Sequence, residues 1–341
     1  MTDEKTIKFA VIGCGHIGKR HASIIQSNPD CTLIALCDGK PKEALDLTAY
    51  SEAQFFNSID DLLQSDLSID IVVIASPNGY HEEQALKVLE KGCHVVIEKP
   101  MALTKASCER IIFKALQKQK QVFCVMQNRY SPPSVWLKEI LDKKVLGKIF
   151  MVQTNCYWNR DDRYYKKDDW HGTKSLDGGT LFTQFSHFID LLYWCFGDIT
   201  NIQAKFNNFA HAHSTDFEDS GFISFDFIDG GMGSFNYSTA VWDKNFESSI
   251  TIIGEHGSVK LGGQYMDEVL YCSIKDYTLP TLSMNHFSNT YGQYKGAAAN
   301  HYFVYENITG VLKHKESIST NALEGLKVVD IIERIYAFKN K

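Results

Sequence analysis

A short apolar run, IKFAVIG at residues 7–13, leads straight into Gly13-Cys14-Gly15-His16-Ile17-Gly18 and a helical pattern from His16 to about Ser27. Each glycine of this G-x-G-x-x-G has its own physical reason. Gly13 permits a tight turn, Gly15 lets the backbone approach a pyrophosphate, and Gly18 lets the helix pack closely on the strand. The free N–H groups at the helix N-terminus then form an anion site. The alternative is the same strand-to-helix turn with no ligand. The feature predicts an α/β fold with a doubly wound parallel sheet. The following residues keep to it, with strands over 32–37, 53–56, 69–75, 93–97 and 121–126. Helical patterns at 41–50, 58–64, 80–91 and 104–120 alternate with them.

The texture changes after about Tyr130. Helix 134–144 and strand 148–157 are followed by one long apolar helix over 179–196. Asp229-Gly230-Gly231 and Gly254-Glu255-His256-Gly257 then sit between alternating runs, as hairpin turns do. Two helical patterns, 298–313 and 321–336, close the chain. The expected division is a Rossmann domain over 1–127 and an α+β domain with an open, mainly antiparallel sheet over 128–341, as a length of 341 residues favours.

Composition excludes several classes. At 44% hydrophobic and 22% charged residues, the chain buries a full core without disulfide or metal staples. A net charge of −6 argues against a nucleic-acid partner. The nine cysteines are scattered without Cys-x-x-Cys spacing, which reads as reduced thiols. The sequence shows neither an 18-residue apolar stretch nor a signal-peptide pattern, so the expectation is a cytoplasmic protein with no membrane partner. His211-Ala212-His213, near Asp216 and Glu218, reads as a solvated loop, and no metal site is expected.

Asp38 ends the second strand. A carboxylate there accepts hydrogen bonds from the adenine-ribose hydroxyls and repels a 2′-phosphate, which favours NAD over NADP, with Lys40 as a partial offset. Its alternative is a solvated turn residue. Ser76-Pro77-Asn78 and Glu98-Lys99-Pro100 fall at the carboxyl ends of parallel strands, the edge where such sheets bind ligands. Lys99 suits proton transfer and hydroxyl orientation near a nicotinamide; its alternative is an ion pair with a carboxylate. His187 lies in TLFTQFSHFIDLLYW, with Thr183 expected one turn earlier on the same face. As a base it suits alcohol oxidation; taken alone, a histidine in an apolar helix is more often a satisfied core residue.

The glycine fingerprint, Ser76-Pro77-Asn78 with His81, Glu98-Lys99-Pro100 and the Gly178-Gly179…His187 helix together resemble the glucose-fructose oxidoreductase / inositol dehydrogenase family (Gfo/Idh/MocA), along essentially the whole chain. The resemblance implies an N-terminal Rossmann domain and a C-terminal domain whose open sheet commonly serves in subunit association. A homo-oligomer, dimer or tetramer, is the corresponding expectation. It also implies Lys99 and His187 as the catalytic pair. The expected cofactor-binding set is Gly13, Gly15, His16, Ile17, Gly18, Asp38, Ser76, Pro77, Asn78, His81, Glu98, Lys99, Gln127, Trp170 and His171. The family often has Asp where this chain has Thr183, and Gly where it has Phe185.

Within that family, the stretch 151–160, Arg163-Tyr164-Tyr165, Asp169-Trp170-His171-Gly172, Gln127-Asn128-Arg129 and Gln184 look like the bacterial UDP-N-acetylglucosaminuronate 3-dehydrogenases. The implied activity is NAD-dependent oxidation of the C3 hydroxyl of a nucleotide-linked sugar during synthesis of surface polysaccharide sugars. The expected substrate contacts are Lys99, Asn128, Tyr157, Arg160, Tyr165, Thr183, Gln184 and His187. Aromatic faces there can cover sugar and base rings, while Arg160, Arg163, Lys166 and Lys167 offer charge to a carboxylate or diphosphate. The same stretch also reads as an exposed basic loop with no ligand. Two other readings stand beside this one: an inositol or free-sugar dehydrogenase or NAD-dependent glycosidase of the same family, and a non-catalytic NAD-binding regulator.

Overall fold

Six parallel strands build the first sheet: β1 (Ile7–Ile12), β2 (Cys31–Cys37), β3 (Gln54–Phe56), β4 (Ile71–Ile74), β5 (His94–Ile97) and β6 (Val122–Cys124). Their order is β3-β2-β1-β4-β5-β6. It reverses between β1 and β4, where doubly wound sheets open a ligand crevice. Helices α1 (His16–Ser27), α2 (Ile59–Gln64), α3 (His81–Lys91) and α4 (Lys105–Lys118) alternate with the strands. All four residues of β4 are fully buried, which explains why it reads as an unbroken apolar run. Ser58 and Thr104 open α2 and α4, each side chain accepting a backbone N–H three residues on. The helix expected over 41–50 is absent. Two single 3₁₀ turns, Lys42–Ala44 and Thr48–Tyr50, stand there instead, because Asp46 between them adopts a left-handed φ of 47°.

The computed structural model describes residues 6–166, 169–263, 266–282, 288–291, 294–298 and 300–338, so Lys167 lies outside the described residues. In the second unit, α5 (Pro132–Asp142) precedes β7 (Ile149–Tyr157), followed by α6 (Lys174–Asp177), α7 (Thr180–Thr183) and α8 (Ser186–Phe196). The strands β8 (Ile199–Asn207), β9 (Ser220–Phe227), β10 (Met232–Ser238), β11 (Glu247–Gly254), β12 (Gly257–Gly262) and β13 (Glu268–Ile274) follow. With β7 they form a seven-stranded sheet, β13-β12-β11-β7-β10-β9-β8. β7 and β10 run parallel and the other neighbours antiparallel. A small hairpin, β14 (Ser288–Tyr291) with β15 (Tyr294–Ala298), stands apart.

Side-chain alternation gives the large sheet two faces. Val152, Cys156, Phe235 and Tyr237 point into the core, where Phe185 packs edge-on against Trp158 at 5.3 Å and tilted against Tyr237 at 5.4 Å. Met151, Phe222, Met232 and Ile253, on the other face, are exposed. The single helix expected over 179–196 is broken in two. The backbone N–H groups of Gln184 and Phe185 both donate to Thr180 O, and α8 starts afresh at Ser186. Thr183 and His187 therefore do not stand one turn apart on a common helix.

The last helices, α9 (His301–His314) and α10 (Ala322–Tyr336), correct the expected domain division. One unit comprises 1–126 with 301–329, the other 127–300 with 330–341. α9 belongs with the Rossmann sheet: the Tyr305 ring lies 5.6 Å from Phe9, and its hydroxyl is 2.8 Å from His21 Nδ1. Farther along, the Thr320 hydroxyl donates to Cys124 O at 2.6 Å. Amphipathic periodicity announces a helix without saying which sheet covers its apolar face, so this return is invisible in the pattern. All nine cysteines are free thiols, and among the described residues no helix is long and apolar enough to cross a membrane.

Candidate active site

The turn after β1 shows which glycines the fold demands. Gly13 has a φ of 89°, and a Cβ there would lie 2.5 Å from Ala75 O, in the turn after β4. A Cβ on Gly18 would lie 1.7 Å from Gly13 O. A Cβ on Gly15 would meet nothing within 4 Å. Packing thus fixes Gly13 and Gly18, whereas Gly15 faces open space at the N-terminus of α1, where the first N–H groups have no side-chain cap. An uncapped helix start with an open approach fits a pyrophosphate. Asp38 adjoins it: its two carboxylate oxygens accept from the backbone N–H groups of Cys14, at 2.7 Å, and Lys40, at 2.9 Å. Asp38 is therefore a clamp on the turn.

The expected loop residues divide. Asn78 is buried in the 3₁₀ turn after Pro77. The His81 ring is committed to backbone: Nδ1 lies 2.8 Å from Pro100 O and Nε2 3.0 Å from Ser76 O. Burial pushes its pKa below the usual imidazole range, against the pull of those carbonyls. The His81 ring thus sits between the Ser76 loop and the Lys99–Pro100 turn, whose peptide bond is cis, and as a neutral imidazole it donates to one of the two carbonyls. Ser76 Oγ donates to Gln84 at 2.7 Å.

Glu98 anchors the same turn. Its Oε2 accepts the Lys99 backbone N–H at 3.1 Å, while Oε1 lies 3.0 Å from His21 Nε2 and 3.4 Å from His301 Nε2. Burial alone would raise the Glu98 carboxyl, but the His21 hydrogen bond and the adjacent His301 ring outweigh it and hold the group well below the usual range. These three residues offer ligand atoms within 4.8 Å of one another, the one such group among the described residues. His21 already uses both ring nitrogens, on Glu98 and Tyr305, so the cluster reads as a hydrogen-bonded seat for a buried carboxylate. His211 and His213 diverge: His211 is buried beside Asp219 rather than solvated, and His213 meets Asp162 on the surface. A carboxyl whose folded pKa lies below its unfolded value contributes stability that is complete at neutral pH and is lost as pH falls through the folded value. Glu98→Gln is therefore expected to lower the Tm at neutral pH, with the gap to wild type narrowing in acid; thermal melts across pH check it.

In the second unit, Gln127, Asn128 and Arg129 are buried together in a 3₁₀ turn. Arg129 Nε donates to both oxygens of Asp190, at 2.9 and 3.1 Å, with the pair almost fully buried. Asp190 lies on α8, three residues after His187. The pair pins the turn to the helix and leaves Gln127 Nε2 3.4 Å from His187 Nε2. This pair escaped the sequence reading, although an aspartate inside an apolar helix was its signal. His187 is 3% exposed. Thr183 donates from Oγ1 to the Asp177 carboxylate, and Gly172 N–H donates to the other Asp177 oxygen at 2.9 Å. A carboxylate therefore backs the position at which the sequence offers only a hydroxyl.

The basic-aromatic stretch is folded inward at Arg160 and Tyr165, whereas Arg163 and Lys166 are exposed. Arg160 is 4% exposed, donates from Nε to Gln184 Oε1 at 2.7 Å and lies 4.8 Å from the centre of the Trp158 ring. Gln184 Nε2 donates to the Tyr164 hydroxyl at 2.7 Å; the Tyr164 ring lies 4.4 Å from His171, which stacks on Trp170 at 3.9 Å. Arg163 is bound by Asp161. Tyr165 is a core residue between Tyr164 and His211, whereas Tyr157 stacks on Phe246 at the end of β7. Both guanidinium groups expected to meet an anion have partners within their own unit, Gln184 and Asn245 for Arg160 and Asp161 for Arg163.

Residues 7–126 match the oxidoreductase family with an NAD-binding Rossmann fold, and residues 135–260 match the GFO/IDH/MocA C-terminal domain. Among solved structures, the WlbA dehydrogenase of Bordetella pertussis, in complex with NADH and UDP-GlcNAcA, is 30% identical, with a TM-score of 0.88 over 98% of this chain and 97% of that one. The WlbA dehydrogenase of Chromobacterium violaceum, with the same two ligands, is 32% identical, with a TM-score of 0.87 over 100% of this chain and 95% of that one. The inositol 2-dehydrogenase of Salmonella typhimurium is 30% identical over 195 residues, 55% of this chain and 54% of that protein.

Proposed function

This chain belongs to the GFO/IDH/MocA family of NAD-dependent oxidoreductases, and we propose that it oxidises the C3 hydroxyl of a nucleotide-linked sugar, UDP-N-acetylglucosaminuronate first, in the making of surface polysaccharide sugars. The observation that carries the reading is the full-length likeness to two dehydrogenases solved with NADH and UDP-GlcNAcA.

The α1 N-terminus, Gly15 and Asp38 would hold NAD, which when bound supplies the hydride acceptor. In this reading His187 takes the hydroxyl proton, and Gln127, whose Nε2 lies 3.4 Å from His187 Nε2, positions the ring. Lys99 orients the hydroxyl and shares the proton. Arg160 acts by holding Gln184 in place rather than by meeting the anion itself. The exposed apolar face of the seven-stranded sheet supports a homo-oligomer.

Turnover is followed at the NADH absorption band with UDP-N-acetylglucosaminuronate, myo-inositol and glucose. Reduction with the uronate supports the reading. Efficient oxidation of myo-inositol or glucose, with every UDP-sugar ignored, overturns the substrate assignment and leaves the oxidoreductase standing. Asp38→Ala is expected to weaken NAD and improve NADP together. Measured dissociation constants check this. A loss of affinity for both cofactors would mean that only the Cys14 clamp matters.

A further inference from the structure

Thr183 and Asp177 form a pair whose hydrogen-bond direction is set by chemistry. A hydroxyl has one proton and two lone pairs, and an ionised carboxylate only accepts. The Thr183 proton is shared between the Asp177 carboxylate and Asp177 O, the latter at 2.9 Å. Asp177 is 1% exposed, closed in by the Gly172 N–H, whereas Thr183 is 8% exposed. With its proton committed inward, Thr183 meets any further group through lone pairs.

We propose that Asp177 sets the polarity of the Thr183 hydroxyl, so that Thr183 receives a ring hydroxyl of the substrate as a hydrogen-bond acceptor and determines specificity, with Asp177 as its positioning residue. The inference rests on the sugar-oxidising reading above. It specifies the chemistry recognised, a hydroxyl that donates.

The pair carries a built-in pH response. Burial raises the Asp177 carboxyl to about 6, against hydrogen bonds from Thr183, Gly172 and Gly179. Above that pH Asp177 is ionised and Thr183 is an acceptor. Below it the carboxyl carries its own proton, which it donates to Thr183, taking one of the lone pairs, while the Thr183 proton keeps Asp177 O as its inward acceptor. Other titratable groups face Asp177: His171, Tyr164 and Tyr165 from the segment after β7, and Tyr336 from α10. Of these, His171 pairs with Asp169 at 2.7 Å.

The test has two readouts. Carboxyl NMR of the enzyme without substrate is expected to show one group titrating near 6. Thr183→Val moves it upward and Thr183→Ser restores it. Calorimetry on the NADH-loaded enzyme is expected to show the Kd of UDP-N-acetylglucosaminuronate weakening about three- to tenfold as Asp177 protonates, the size of one neutral hydrogen bond. Thr183→Val and Asp177→Asn remove that break, whereas Thr183→Ser keeps it. A break persisting in both Thr183→Val and Asp177→Asn would assign it to His171 or His187 and overturn the proposal, as would a carboxyl titration unmoved by Thr183→Val. Failure of the substrate assignment looks different: the UDP-sugar fails to bind at any pH while myo-inositol binds, and the break is then followed on myo-inositol.

Discussion

Replacing His187 by alanine is expected to reduce kcat by about 10²–10⁴-fold, the usual contribution of a positioned general base, while leaving NAD affinity unchanged. The expectation follows from where the imidazole sits. It is almost fully buried, with Gln127 within 3.4 Å of Nε2, which is a setting for a ring held in one orientation. Lys99→Ala is expected to fall in the same range. Steady-state kinetics with a parallel NAD titration separate chemistry from binding. Near-normal turnover removes His187 from the mechanism, and a variant that fails to fold returns it to the role of a core histidine.

Breaking the Arg129–Asp190 pair is expected to have the largest effect on stability. Removing one partner of a buried ion pair leaves a desolvated charge without compensation, which costs about 3–5 kcal/mol. Arg129→Ala and Asp190→Asn should each lower the denaturation midpoint sharply, and Arg129→Met with Asp190→Leu should recover much of the loss, since apolar residues of similar volume leave no charge behind. The same pair seats the Gln127 turn on α8. Residual folded Arg129→Ala should therefore show a reduced kcat as well as a lower Tm. A single variant as stable as wild type would mean that water reaches the pair.

The Rossmann half was readable because its signals are local. Gly13 and Gly18 are required by backbone atoms within the same turn and its neighbour, and the strands are apolar because they are covered on both sides. The hairpin turns at Gly230-Gly231 and Gly254…Gly257 were readable for the same reason. What failed to show was long-range or directional. Periodicity over 179–196 resembles one helix because the break at Phe185 keeps the apolar character of its neighbours. Arg160 and Arg163 are charged letters whose partners, Gln184 and Asp161, decide whether that charge faces outward. Arg129 and Asp190 are 61 residues apart, and no spacing rule joins them. The direction in which Thr183 gives its proton depends on a carboxylate six residues earlier in a different helix.

The return of α9 to the first sheet bears on synthesis. The contact between His21 and Tyr305 joins residues 284 apart. At a synthesis rate of about 5–20 residues per second, His21 waits roughly 14–57 s for Tyr305. During that interval the seat of Glu98 lacks His301, and the buried carboxylate has one histidine where the finished protein gives it two. A release of the chain before residue 301 would yield a nucleotide-binding sheet with an uncovered flank, prone to association. Both units thus receive their last pieces only as the C-terminal residues arrive, 301–329 for the first and 330–341 for the second.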